Sequence, residues 1–216
     1  MAQKIHNYAI DRTTLGDDDY FDIDYWDGSV YRTAKIKGSN LSNGIGGIGK
    51  FSQTSVATAI TNTTTESSLL TGAGFLGDLL FDTNTFQLGD SYHLKIGGYL
   101  SCLVNSDVNI RVKFGSILLS LSTIRLSLTS FKFFEIEVDF TIRSVGGAGV
   151  GSVISMIELR HLSDSGNTIN GLQYCVDNFA TFDTTIANTL DVTWEWSTAS
   201  NSNFIQSAVT NLKKTY

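Results

Sequence analysis

Strict alternation of apolar and polar side chains is clearest from Phe133 to Arg143. There Phe134, Ile136, Val138, Phe140 and Ile142 fall on one side of an extended chain, and Glu135, Glu137, Asp139, Thr141 and Arg143 on the other. Residues 189–197 repeat the pattern, with Leu190, Val192, Trp194 and Trp196 opposed to Asp191, Thr193, Glu195 and Ser197. Both stretches predict strands with one buried and one solvated face, as antiparallel sheets carry. Residues 108–114 alternate likewise, and Tyr92, Leu94 and Ile96 alternate with His93 and Lys95 until Gly97-Gly98 interrupts the run. Further strands are predicted over 99–104, 153–162, 169–176 and 204–212, with 117–128 forming either one bent strand or two.

Most neighbouring strands are separated by Gly, Asn or Ser, residues that tolerate the backbone of tight turns. Roughly eight strands at regular spacing, without a convincing helix, predict an all-β fold: an antiparallel β-sandwich of the jelly-roll kind. Upstream, residues 20–26 and 29–37 flank Asp27-Gly28, the strongest short-range hairpin signal, and predict a small N-terminal β-hairpin unit. A hairpin of this size is marginal alone and has to lean on the main domain, on copies of itself or on another protein. The expected organisation is a hairpin unit over 1–41, a Gly/Ser/Thr-rich linker over 42–60 and a head domain over 61–216.

Composition agrees with sheets. Hydrophobic residues make up 42% and aromatics 11%, enough for a packed interior, while charged residues are only 17% and proline is absent. The formal net charge of −6, with no basic stripe, argues against nucleic-acid binding. The N-terminus lacks the apolar run of a secretory leader and no segment has the length of a membrane span, so synthesis in a cytoplasm without membrane insertion is expected. Cys102 and Cys175 lie in strand-like contexts and are expected as buried, reduced thiols, not as a disulfide or a zinc site.

The search for chemistry yields little. His6, His93 and His161 lie in separate segments without spaced partners and are expected at the surface or at strand edges. Glu135 and Glu137 share one face of a strand, whereas a hydrolytic pair faces across a cleft at about 5 to 10 Å, so a wet sheet face is the better reading. Asp17, Asp18, Asp19, Asp22 and Asp24 lack the bend glycine and closing glutamate of a calcium loop. The glycines at 44, 46, 47 and 49 lack the flanking strand and helix of a phosphate loop. Trp194 and Trp196 are expected in the core or at a subunit interface, though exposed they would form a sugar-stacking platform. No catalytic, metal or cofactor site is predicted, and neither cysteine carries a triad signature.

Residues 62–74, the Leu88-Gly89-Asp90 turn before Leu94-Lys95-Ile96-Gly97-Gly98, the 139–143 strand and residues 189–199 resemble the C-terminal domains of virion fibre proteins of tailed phages and some large viruses. The Asp-rich turn and hairpin before Gly38-Ser39-Asn40-Leu41 is similar to the short N-terminal units of phage tail-fibre proteins. The resemblance implies a tail fibre or spike protein with a trimeric jelly-roll head that binds host surface molecules. The long repetitive shaft of a full-length fibre is missing from this sequence, which favours a compact spike, head fibre or tail appendage. A sandwich with more apolar strand surface than one core needs can bury the excess between subunits.

The expected function is therefore that of a non-enzymatic structural protein on the virion tail or capsid surface. It would be a homotrimer contacting other virion proteins through its N-terminal unit and a host surface glycan or protein through its loops. Loop residues on a rigid scaffold are the expected contacts: Asn105, Asp107, Asp164, Asn167, Asn170, Asn201 and Asn203. The alternatives are a capsid decoration protein with a purely structural role and a carbohydrate-binding or carbohydrate-active module.

Overall fold

Long alternating runs cannot bury one face alone, and here they solve the problem by packing two antiparallel sheets face to face. A computed structural model describes residues 20–26, 31–37, 49–164, 169–176 and 181–216, of which 20–26, 31–37 and 169–176 are described as paired backbone. The chain divides into two compact units, Met1–Ile48 and Gly49–Tyr216. In the first, β1 (Tyr20–Trp26) and β2 (Tyr31–Lys37) pair antiparallel from Tyr20 opposite Lys37 to Trp26 opposite Tyr31. This is the predicted hairpin; Asp27-Gly28 and the Asp17–Asp19 run lie outside the described residues.

The second unit begins with five short strands: β3 (Gly49–Gln53), β4 (Ile60–Thr61), β5 (Ser67–Ser68), β6 (Phe75–Gly77) and β7 (Leu80–Phe81). Then follow β8 (Ser91–Cys102), β9 (Ser106–Phe114), β10 (Ile117–Leu126), β11 (Thr129–Ser144), β12 (Gly151–Leu162), β13 (Ile169–Val176), β14 (Thr181–Phe182), β15 (Asn188–Trp196) and β16 (Phe204–Lys214). The larger sheet runs β13-β12-β11-β8-β16-β3-β6, with β14 on β12 and β4 on β16; the smaller runs β10-β9-β15-β5, with β7 on β15. The chain crosses between sheets from β8 to β9, β10 to β11, β14 to β15 and β15 to β16, while β9-β10 and β11-β12-β13 follow one another within a sheet, so the whole is an antiparallel β-sandwich. No helix occurs among the described residues.

The expected linker over 42–60 is shorter than its composition suggests. Gly49–Gln53 pairs with β16 and β6, and Ile60 pairs with Ile205, so the sandwich starts at Gly49. The polar Ser/Thr content masked the anchors: Phe51, Ala57 and Ile60 are buried in an otherwise hydrophilic stretch.

The two stretches with the clearest alternation supply the core from opposite sheets. Phe134 to Ile142 on β11 and Leu190 to Trp196 on β15 belong to one buried cluster, with Trp194 and Trp196 at 0% exposure and packed edge to face at 5.2 Å. The tryptophans are therefore interior, not a sugar platform. Near the start of β8, Tyr92 stacks on Phe140 at 5.0 Å, and Phe114 meets Phe140 edge-on at 5.5 Å, closing that end of the sandwich with rings. Cys102 is a buried free thiol, as expected; Cys175 is described only as a β13 position opposite Met156.

Candidate functional site

Register across the larger sheet determines which side chains share its outer face. One row reads Arg160, Glu135, Gly97 and Val209 across β12, β11, β8 and β16; the next reads Glu158, Glu137, Lys95 and Asn211; a third reads Met156, Asp139, His93 and Lys213. The charges neutralise one another within this face. Lys95 Nζ lies 2.5 Å from Glu135 and 3.5 Å from Glu137, and Arg160 reaches Glu158 at 2.6 Å and Glu135 at 3.4 Å. His93 Nδ1 meets Asp139 at 2.8 Å. The hydrogen bond to Glu135 holds the Lys95 ammonium above its ordinary pKa, and that to Glu158 does the same for Arg160. Glu135 and Glu137 are the wet face of a strand tied across by cations, not a pair facing over a cleft.

At the far end of β8 the loops converge. Asn105 N donates to the Leu126 carbonyl at 3.1 Å, Ser197 N to that of Asp107 at 2.9 Å, and Asp164 N to that of Leu128 at 3.0 Å. The turns after β8, β10, β12 and β15 are thus one continuous surface. Asp164 also fixes the start of β11, accepting from Ser130 N at 3.1 Å and from the Ser130 hydroxyl.

On this surface sits an aromatic cluster. Between Thr129, opposite Cys102, and Lys132, opposite Leu100, β11 carries one extra residue, a bulge that turns Phe131 outward with φ of +50°. A bulky residue at positive φ costs about 1–2 kcal/mol, and such strain persists only where the surroundings impose it. Phe131 is 61% exposed, lies flat on Tyr99 with centroids 4.9 Å apart and approaches Phe204 at 5.5 Å. Beside them Phe133, half exposed, lies over Gly97, its Cζ 3.0 Å from where a Cβ would stand, so a larger residue there would push the ring outward. Leu103, Val104 and Leu128 are exposed on the adjoining turns.

The predicted contact residues divide. Asn105, at φ of +61°, Asp164 and Asn201 are exposed on the converging loops. Asp107 lies in β9 and is held by Arg125 through bonds of 2.7 and 3.0 Å, and these hydrogen bonds keep its carboxyl below the ordinary range. Asn203 is not an exposed contact: it is buried, and its Nδ2 donates to the Thr198 carbonyl at 2.8 Å, so it shapes the turn from within. Asn170 is not in a loop but in β13, opposite His161, because that strand begins at Ile169. Asn167 lies outside the described residues.

Sequence reasoning missed the aromatic cluster. Its one signal was three phenylalanines within Phe131-Lys132-Phe133-Phe134, which cannot all face inward on a period of two. His161 also differs from expectation: it is buried, with Nδ1 3.3 Å from the Thr129 hydroxyl. Burial pushes its imidazole below the ordinary 6.5. Below that pH the unfolded chain takes up a proton that the folded one resists, so stability is full above pH 6.5 and falls as pH drops, by at most about 1.4 kcal/mol per pH unit. Thermal melts of wild type and His161→Gln from pH 7.5 to 5 check this: the variant should lose part of the acid dependence, and an identical pH profile would refute it. No group of three or more His, Cys, Asp or Glu that could hold a metal ion occurs among the described residues.

No family model matches the chain, and no curated protein matches it. Among solved structures it is similar to a marine PL-14 alginate lyase from Aplysia kurodai, at 7% identity and TM-score 0.32, covering 74% of this chain and 88% of that one. It is also similar to a protein of unknown function from Shewanella oneidensis MR-1, at 14% identity and TM-score 0.29, covering 77% and 79%. Likeness at these scores assigns neither activity nor ligand.

Proposed function

We propose that the protein is a non-enzymatic virion component, a tail fibre or spike subunit that forms a homotrimer and attaches to the host surface through its loop end. The observation that carries this reading is the exposed Tyr99–Phe131–Phe204 cluster, with Phe131 held outward at a positive φ by a bulge. Exposed aromatics, with Leu103, Val104 and Leu128 exposed on the adjoining turns, supply large contact area at little entropic cost. A glycan or protein on the host surface is the partner such a platform suits. The loops around the aromatics carry Asn105, Asp164 and Asn201, which add hydrogen-bonding capacity at its rim.

A separate apolar group supports assembly. Phe75 and Leu76 on the three-residue edge strand β6 are exposed, and Leu80 is exposed on β7. Short edge strands with outward apolar side chains are natural subunit contacts. The hairpin unit upstream is the proposed contact to other virion proteins.

The charge-neutralised face around Glu135 and Glu137 supports a non-enzymatic role, since its carboxylates are paired with Lys95 and Arg160. Light scattering should give three times the chain mass, and a cell-surface glycan array should show binding without cleavage of the bound glycan. A monomeric mass would refute the trimer. Binding to no glycan and to no host-cell extract would favour the purely structural decoration role, and cleavage would favour the carbohydrate-active alternative.

A further inference from the structure

The end of the sandwich opposite the aromatic cluster is also built of loops, and these too are tied to one another. Gly89 N, in the turn before β8, donates to the Ile142 carbonyl of β11 at 2.9 Å. Asn84 N, in the same turn, donates to the Thr184 carbonyl at 3.0 Å, and Thr184 N donates to that of Gly146 at 3.0 Å. The Thr184 hydroxyl accepts from Gly146 N at 2.8 Å. The loops after β7, β11 and β14 are therefore one surface.

What this surface presents differs from the aromatic end. Leu88, Val145, Val150 and Ile186 are exposed on it, and its three loops contain no Lys, Arg or His. Two of its carboxylates are used internally: Asp90 is buried and paired with Lys214 at 2.8 Å, and Asp183 accepts from Thr185 N at 2.8 Å. Only Asp82 stands exposed at the rim. Exposed aliphatic side chains offer no ring to stack on a sugar, and loops without a cation offer nothing to a phosphate backbone. They match an uncharged apolar patch on another protein.

The chain itself brings a partner to this end. β3, the first strand of the second unit, starts at Gly49 opposite Lys213 of β16, and just beyond β16 Thr215 N donates to the Ser91 carbonyl at the start of β8, at 2.8 Å. The first unit is thus joined to the sandwich at the aliphatic end. Residues 38–48, between β2 and Gly49, reach at most about 40 Å. A protein gripped by the hairpin unit is tethered within that reach, at an effective concentration on the order of millimolar, where a small apolar contact suffices.

We infer that the aliphatic end is a second docking surface for the virion protein that the hairpin unit contacts, which rests on the virion reading proposed above. Purified full chain, added to particles assembled without it and recovered with them by sedimentation, tests the two ideas separately. Wild type should cosediment. Leu88→Asp/Ile186→Asp should bind at least about tenfold more weakly, with an unchanged melting temperature because both sites are exposed. Asn211→Asp, which adds a carboxylate on the outer face of the larger sheet, should bind as wild type. Absence of wild type from the sedimented particles would overturn the virion reading and this inference with it. Equal binding by wild type and the double variant would overturn the inference alone. So would a double variant of lower mass than wild type in light scattering, which makes a second copy the occupant, or one that loses a binding of wild type to phosphatidylcholine vesicles, which makes it a lipid surface.

Discussion

Replacing Trp196 by alanine is expected to lower the unfolding free energy by about 3–5 kcal/mol, the usual range for deleting a buried tryptophan ring. For a domain of this length that corresponds to roughly 10 °C in melting temperature. Trp196 is fully buried on β15, packs edge to face on Trp194 and belongs to the same core cluster as the apolar row of β11, so its removal leaves a cavity in the core. Trp196→Phe separates the causes. The indole N–H of Trp196 has no acceptor among the described residues, so phenylalanine keeps most of the ring packing while removing an unpaired buried donor. It should cost less than half as much as alanine. Thermal and urea melts of both variants check this; equal losses would mean that the ring's volume is not what the core requires. As a control, Tyr99→Ala at the surface should shift stability far less, since its ring is 41% exposed.

The same two strands show why the fold was legible. Alternation over 133–143 and 189–197 reflects a single cause, one dry and one wet face, and the observed burial follows it except at Thr193, which is buried on the polar side. Where local pattern and tertiary role separate, the reading failed. Residues 49–60 look like a linker because their strands are two to five residues long, too short for a period, and their anchoring depends on β16, more than 140 residues later. Asn203 has the composition of a loop contact, but its side chain turns inward to hold Thr198, which only the turn's geometry reveals. The loop end was half legible. Turn residues marked Asn105 and Asn201, but the bulge that exposes Phe131 exists only in the register between β11 and β8. His161 was misplaced for a related reason: the end of a strand is a surface position only when nothing packs over it, and here Thr129 does.

Phe131→Gly is expected to weaken attachment strongly while leaving the fold intact, a combination that a purely structural side chain would not give. Glycine accepts the φ of +50° without strain, releasing about 1–2 kcal/mol. The lost stacking on Tyr99 and Phe204 costs about 0.5–1.5 kcal/mol, and the more flexible unfolded chain costs about 0.4–1. These terms nearly cancel, so the melting temperature should move by only a few degrees. Recognition has no such compensation. A central aromatic anchor is commonly worth 2 kcal/mol or more, about 30-fold in affinity. Tyr99→Ala should weaken binding less, because it removes the support beneath Phe131 and not the exposed ring itself.

The most direct test is therefore the affinity of wild type and Phe131→Gly for host cells, or for a surface ligand isolated from them, measured alongside their melting curves. At least about a 30-fold loss of binding with nearly unchanged stability is expected. Binding retained at full strength by a folded Phe131→Gly protein would contradict the loop end as the attachment surface.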